Sequence, residues 1–248
     1  LNSNTHEIQL QVNLSSWYDF KITDVIDYIK DKFSQYAEGE SGHLRIFANT
    51  TAVSDFMPDV LARFLATRPG VTVDLQERLT HDIVRGVIDG STDLGVVAGP
   101  VKSNKKLEII PFSVDRLVVV TSKDHELAAR RSLSFRETLD YPHIGLREGS
   151  TLFNFLKERA SETGSTLQMR IQVFGFESAC RMVSRSVGIG ILPRSIAHRH
   201  AEFMEISIIE LNESWAERER SLIVRELDAL PTCGKELVEE IRSQASLT

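Results

Sequence analysis

Apolar and polar positions follow two different periods, in a regular order, between residues 42 and 99. Alternating stretches and one unbroken apolar run predict three β-strands, and apolar residues repeated every three or four positions between them predict two amphipathic helices. The predicted strands are 43–47, 71–75 and 94–98, and the predicted helices are 60–65 and 80–88. This alternation builds a parallel sheet, and open sheets of that kind bind ligands at the carboxyl ends of their strands.

A second alternation of the same kind follows residue 99. Its predicted strands are 107–112, 116–121, 143–146, 167–174 and 188–192, and its predicted helices are 150–160 and 177–186. Ser134 and Glu137 form a capping-box pattern, which predicts the start of one more short helix. Two strands at 206–211 and 221–224 and a helix at 231–243 complete the series.

Two α/β halves of similar size in one chain require the chain to cross between them. The predicted fold class is therefore α/β, with two Rossmann-like lobes hinged by two crossovers. We place the crossovers at 99–106 and 203–211. They divide residues 42–248 into lobe I, made of 42–99 plus 212–248, and lobe II, made of 106–203, so that the last strand and helix return to lobe I.

Residues 1–41 carry a pattern of their own. Apolar residues recur at helical spacing from Ile22 to Tyr36, and the pattern ends at Gly39, which predicts one amphipathic helix. Such a helix could pack on its own domain or could link this domain to another one. Its length, and its position directly before the first strand, favour a linker helix.

Composition and charge narrow the possible functions. A chain of 248 residues that is 42% hydrophobic can bury a substantial core, and its formal net charge of −6 argues against direct binding to nucleic acid phosphates. Cys180 and Cys233 are too few for a disulfide framework, and the apolar pattern around Cys180 predicts a buried, reduced thiol. The sequence has no apolar run long enough to cross a bilayer and no export-signal pattern, so we expect a cytoplasmic location without membrane contact.

Four segments resemble the effector-binding domain of LysR-type transcriptional regulators. They are GHLRIFANTTAVSDFMP from residue 42, FLATRPGVTVDLQERLTHDIV from residue 64, DGSTDLGVVAG from residue 89, and FESACRMVSRSVGIGILPRSIA at 176–197. Their order and separation also fit that family over residues 42–230. The resemblance implies a periplasmic-binding-protein-like fold of type 2, a small-molecule effector between the lobes, and a homodimer or tetramer. It further implies that promoter DNA is bound through an N-terminal helix-turn-helix head. We expect this sequence to contain part of the linker helix, in residues 1–41, but not the head.

Hydroxyl side chains stand at several of the predicted strand-to-helix turns. Hydroxyls beside the free N–H groups of helix starts suit a carboxylate or another small anion, although each could also only cap its helix, as Thr80 is placed to do. The resemblance implies that the turn after the first strand, the start of the second helix, the hinge and two segments of lobe II line the effector pocket. The predicted site residues are Asn49, Thr50, Thr51, Thr80, Ala98, Gly99, Leu146, Arg147, Glu148, Ser150, Phe174 and Phe176.

These residues do not determine whether the effector is acidic or basic. Arg147 would pair with an acidic effector, or it could be a solvated loop arginine, whereas Glu148 and Glu177 could receive an amine. Phe174 and Phe176 lie two positions apart and are expected on one side of the local strand, either as a pocket wall or as core.

Other chemistry has little support in the sequence. It contains no known catalytic motif, no group of metal-ligand residues at the spacing of a metal site and no phosphate-binding loop. We therefore expect that the protein is not an enzyme and holds no cofactor or metal. The stretch 188–190 lacks the third glycine of a dinucleotide loop and predicts a close backbone approach before a buried strand. A solute-binding protein of a transport system has the same architecture and is the alternative function, but it would need an export signal.

Overall fold

The computed structural model describes residues 41–101 and 105–245, together with Ile26. The strands in these residues are β1 (Ser41–Ala48), β2 (Gly70–Glu77), β3 (Leu94–Ala98), β4 (Glu108–Ser122), β5 (Ser132–Leu133), β6 (His143–Leu146), β7 (Met169–Val173), β8 (Gly190–Pro193), β9 (Ile206–Leu211) and β10 (Glu217–Val224). The helices are α1 (Thr50–Ser54), α2 (Met57–Ala66), α3 (Thr80–Asp89), α4 (Phe135–Thr138), α5 (Thr151–Glu162), α6 (Phe176–Ser184), α7 (Arg194–Ala201) and α8 (Thr232–Ala245).

The first hydrophobic core lies around the parallel strands β1, β2 and β3. β1 is central and pairs in parallel with both β2 and β3, while β10 joins β3 antiparallel. All five residues of β3 are buried, as expected for a strand covered on both faces. Apolar side chains of α2 and α8 pack on one side of this sheet, and Ile83 and Val87 of α3 belong to a smaller cluster with Val97 and Ile223.

The second core is built around the far half of β4. The strands β8 and β9 pair antiparallel with residues 117–122 of β4, and β5 pairs in parallel with β9. The short parallel sheet of β6 and β7 lies beside them, joined by a single bridge between His143 and Ile189. The buried apolar residues of this core extend in sequence from Leu117 to Ala216 and include side chains of α4 to α7.

The chain passes between the two cores inside β4 and β10, which corrects the predicted crossovers. β4 is one strand of 15 residues, although the sequence predicted two strands at 107–112 and 116–121. Its residues 113–116 pair with 217–220 of β10, next to a β-bulge between Arg220 and Ser221. The predicted crossovers at 99–106 and 203–211 are therefore wrong, because Ile206, Ile209 and Leu211 lie in the second core. From here on, lobe I denotes 41–112 with 222–245, and lobe II denotes 117–216.

The α/β prediction is confirmed, and most predicted elements occur within a few residues of their predicted bounds. The capping box at Ser134 and Glu137 forms with both of its hydrogen bonds. Gly188 makes a close approach, since a Cβ there would lie 2.4 Å from the carbonyl oxygen of Pro142. The predicted linker helix in 1–41 lies outside the described residues. Among the helices of the described part, none combines the length and the apolar character of a membrane span.

Both cysteines are free and buried. Burial raises the pKa of the Cys180 thiol to about 12 and also raises the pKa of the Cys233 thiol. The thiolate is the reactive form of cysteine, so neither side chain is suited to redox chemistry in the folded state.

His143 makes the stability of lobe II depend on pH. Its Nδ1 donates to the carbonyl oxygen of Tyr141 at 3.0 Å, while its buried Nε2 has no hydrogen-bond partner among the described residues. Burial lowers the pKa of His143 from 6.5 to about 4. The neutral imidazole is favoured in the folded state, so stability is full above pH 6.5 and falls as the pH drops towards 4, by about 3 kcal/mol.

We predict that His143→Leu flattens this dependence. Urea unfolding of the wild type at pH 7.0, 5.5 and 4.0 is expected to show the loss, and the variant is expected to lose about 3 kcal/mol less over the same range. Equal pH slopes in the two proteins would contradict a buried neutral His143.

Candidate functional site

A cavity of about 430 Å³ lies between the lobes, at the starts of α3 and α5. α3 belongs to lobe I and α5 to lobe II, so both lobes contribute to its walls. Its size is within the range that holds small metabolites. The lining residues are Thr80, His81, Val84, Pro100, Val101, Gly149, Thr151, Asn154, Phe155 and Glu158.

One hydrogen bond joins the lobes at the edge of this cavity. The hydroxyl groups of Thr80 and Thr151 lie 2.7 Å apart, and each residue is the first of its helix. This corrects the prediction that Thr80 caps α3, because the N-cap position is Leu79 and has no side-chain cap. In α5 the cap is Ser150, whose Oγ accepts the N–H of Phe153 at 3.2 Å. The hydroxyl of Thr80 therefore serves the contact between lobes.

A second, much smaller space lies deeper between the lobes, at the connecting segments. Its volume of about 10 Å³ is room for roughly one water molecule. It is lined by Thr51, Ala98, Asp115, Arg116, Leu117, Pro193 and Arg218. Asn49 fixes the turn beside it, since its Oδ1 accepts the N–H of Ala52 at 3.1 Å and its Nδ2 donates to the carbonyl oxygen of Ala98 at 3.2 Å.

Arg218 lines this deeper space. It lies in β10 with only 6% of its surface exposed, and its Nη2 donates to the carbonyl oxygen of Ala98 at 3.1 Å. Its guanidinium carbon lies 4.9 Å from the centre of the Phe155 ring. Gly99 has φ +108°, and a Cβ there would lie 1.9 Å from Nη2 of Arg218. The backbone at 98–99 therefore leaves just enough room for the guanidinium.

An ion cluster next to this space joins the lobes. Arg220 of β10 binds the carboxylates of Asp55 and Asp115, the second at 2.8 Å. From lobe II, the hydroxyl of Ser195 donates to Asp55 at 2.9 Å and to Asp115 at 3.1 Å, and Arg199 lies 3.3 Å from Asp55. Burial raises the pKa of Asp55, while Arg220 acts in the opposite direction. The cluster therefore ties α7 to the end of α1.

The twelve predicted site residues fall into three groups in the structure. Thr80 lines the larger cavity and Thr51 and Ala98 line the smaller space, whereas Asn49, Thr50, Gly99 and Ser150 lie close to lining residues in sequence but line neither space themselves. Arg147, Glu148 and Phe174 are exposed and line neither of the two spaces, and Arg147 lies over the Phe174 ring at 5.3 Å. Leu146 and Phe176 have buried side chains in the core of lobe II.

The two phenylalanines correct the prediction that they share one side. Phe174 is 78% exposed and Phe176 is 3% exposed. The strand β7 ends at Val173 and Gly175 is the N-cap of α6, so the alternation of a strand does not continue to Phe176.

Several residues of the site were missed by the sequence reasoning. These are Asn154, Phe155, Asp115, Pro193 and Arg218. Arg218 and Arg220 alternate with Glu217 and Glu219, which is the pattern of an exposed strand, so their burial had no local signal. Among the described residues, no group of three or more His, Cys, Asp or Glu side chains could hold a metal ion.

Comparison with known proteins identifies related chains. The family model described as the LysR substrate binding domain matches residues 37–246. The uncharacterized HTH-type transcriptional regulator YwbI of Bacillus subtilis is 31% identical over 159 residues, which are 64% of this chain. The chain spans about half of that relative, because the match covers 52% of its length.

Two solved structures share the fold. The regulatory domain of Synechocystis PCC6803 CcmR, in complex with 2-PG, has a TM-score of 0.73 at 21% identity and covers 83% of this chain and 98% of that one. The effector binding domain of QuiR, in complex with shikimate, has a TM-score of 0.67 at 20% identity and covers 84% and 98%. These likenesses confirm the predicted fold of the type 2 periplasmic-binding kind.

The hydroxyl contact across the cleft can be measured by a double-mutant cycle. We predict that Thr80→Val and Thr151→Val show a coupling energy of about 1 kcal/mol in urea unfolding, since the pair shares one partly buried hydrogen bond. Additive effects of the two substitutions would show that the hydroxyls do not meet in solution.

The ion cluster is expected to contribute to stability because the side chains of Asp55, Asp115 and Arg220 are largely buried. Asp55→Ala leaves Arg220 with one carboxylate and removes one of the two carboxylates that Ser195 contacts, so we predict a loss of about 3 kcal/mol in the free energy of unfolding. Asp59→Ala, on the exposed first turn of α2, is the control and is expected to cost under about 1 kcal/mol. Equal losses in the two variants would rule out a special role for Asp55.

Proposed function

The chain belongs to the LysR substrate binding domain family of transcriptional regulators, and we propose that it senses a small metabolite in the cavity between its two lobes. The observation that carries this proposal is the cavity of about 430 Å³ with walls from both lobes and a hydroxyl contact at its edge. Membership of this family decides against the alternative of a solute-binding protein for transport.

The cavity links ligand binding to the arrangement of the lobes. A ligand that contacts α3 and α5 at once would compete with the bond between Thr80 and Thr151 or add to it. Either change shifts the balance between lobe arrangements, by no more than the difference in the affinity of the ligand for them. Backbone turns and hydroxyls at 49–51 and 80 support recognition of polar groups. In this proposal the protein senses its ligand and does not convert it.

Small molecules are the expected class of ligand on two grounds. The size of the cavity sets the first limit. The second ground is that the related domains of CcmR and QuiR were solved with 2-PG and shikimate. We propose an effector of that size here.

The remaining partners follow from the family. We propose a cytoplasmic homodimer or tetramer in which α2 of one subunit contacts lobe II of another. We also propose that promoter DNA is bound by a head outside this sequence, because the curated relatives are HTH-type regulators of which the match covers little more than half. A change in the angle between the lobes would then alter the distance between the DNA-binding heads of the paired subunits.

Filling the cavity tests the proposed function. A thermal-shift panel of small acids, amino acids, sugars and aromatics, shikimate included, identifies the compound that raises the melting temperature of the wild type most. Asn154 is exposed and lines the cavity. We predict that Asn154→Trp lowers the affinity for that compound at least tenfold, as measured by calorimetry.

The matched control is Lys157→Trp on the same helix. Lys157 is exposed and does not line the cavity, so this variant is expected to bind within about twofold of the wild type. Equal affinity in Asn154→Trp and Lys157→Trp would place the ligand elsewhere.

A further inference from the structure

Arg218 carries a buried charge that the protein leaves incompletely paired. With 6% of its surface exposed, it makes one hydrogen bond, from Nη2 to the carbonyl oxygen of Ala98. Its Nε is buried and has no acceptor among the described residues, and no carboxylate there forms an ion pair with it. A guanidinium has five N–H donors, so most of its capacity to bind an anion is unused.

The neighbouring charges are already committed to other partners. Asp115 lines the same small space, but its carboxylate accepts from Arg220 and Ser195. Arg116 also lines it, and its guanidinium lies 3.0 Å from Glu217 and 3.5 Å from Glu210. Among the charged side chains that line this space, Arg218 is therefore the one without an oppositely charged partner among the described residues.

Burial makes this charge costly in the free protein. The pKa of Arg218 is lowered to about 10 by desolvation, with Asp115 acting in the opposite direction. An unpaired buried charge is strongly destabilising, and an anion that accepts two parallel N–H bonds from a guanidinium offsets that cost. Without a bound anion, the buried charge lowers the stability of the protein. Such a loss of stability is common at functional sites.

We infer that Arg218 binds an oxyanion of the effector, so that the protein senses a small organic acid carrying a carboxylate or a phosphate. This inference rests on the proposed function, because the anion reaches Arg218 from the interlobe cavity. Phe155 stands between the two spaces, since its ring lines the larger cavity and stacks on the guanidinium. The small space holds only about one water, so the ligand's oxyanion takes the place of the Phe155 ring against Arg218.

Arg147 provides a rival and therefore a control. It was the cation that the sequence offered for an acidic effector, but it is exposed, lines neither space, and has its guanidinium carbon 5.3 Å from the centre of the Phe174 ring. A solvated cation gains less from an anion than a buried one, because water already satisfies it.

The test uses matched acidic and neutral probes on the whole chain. The acidic and neutral pairs are shikimate with its methyl ester and benzoate with benzamide. Inorganic phosphate is compared at equal ionic strength with chloride, an anion that forms no bidentate hydrogen bonds. They are titrated against the wild type, Arg218→Met and Arg147→Met by calorimetry and thermal shift. We expect at least one acid to bind the wild type over tenfold more tightly than its neutral partner. That preference is expected to vanish in Arg218→Met and to persist within twofold in Arg147→Met.

A further readout separates recognition from a structural role. Without ligand, Arg218→Met is expected to melt at or above the wild-type temperature, since it removes an unpaired buried charge. Acid selectivity that survives in Arg218→Met, or a neutral partner that binds the wild type as tightly as its acid, overturns the inference and leaves the proposed cavity in place. If no acidic or neutral probe binds the wild type, the inference fails. The Asn154→Trp experiment then tests separately whether a ligand binds in the interlobe cavity.

Discussion

The antiparallel pairing of β4 with β10 is the constraint on which the two lobes depend. β4 runs from lobe I into lobe II and β10 returns beside it in the opposite direction, with residues 113–116 opposite 217–220. Because backbone hydrogen bonds hold these segments in register, any change of the interlobe angle has to bend both strands at once. The bulge between Arg220 and Ser221 lies at this place and adds local twist. The hinge is thus a ribbon of two strands.

Polar contacts join the lobes at two places beside that ribbon. The hydroxyls of Thr80 and Thr151 meet at the cavity, and the buried carboxylate of Asp55 binds the hydroxyl of Ser195 of lobe II. Apolar packing stays inside each lobe, so the lobes are joined by groups that water or a ligand can replace. In the proposed function a ligand acts on these contacts, and it shifts the lobes only by the difference in its affinity for their arrangements.

Arg218 lowers the stability of the protein, because it is a buried charge without an ion-pair partner among the described residues. Its single bond to Ala98 leaves a buried guanidinium that a folded core would not require. Gly99 provides the space for it, because any Cβ there would collide with the guanidinium. Stability and recognition thus oppose each other in these three residues, as is expected where a site is kept ready for a charged group.

The sequence by itself determined the local elements. The strand at 94–98 and the capping box at Ser134 follow from periods and caps that act over a few residues. The crossovers were misplaced because the polar Ser113 and Asp115 interrupt β4 in sequence but not in space. Only the tertiary structure decided the site, since it brings Arg218 to Ala98 across 120 positions. Periodicity reports the apolar face of one element, whereas the cleft arises where strands distant in sequence pair.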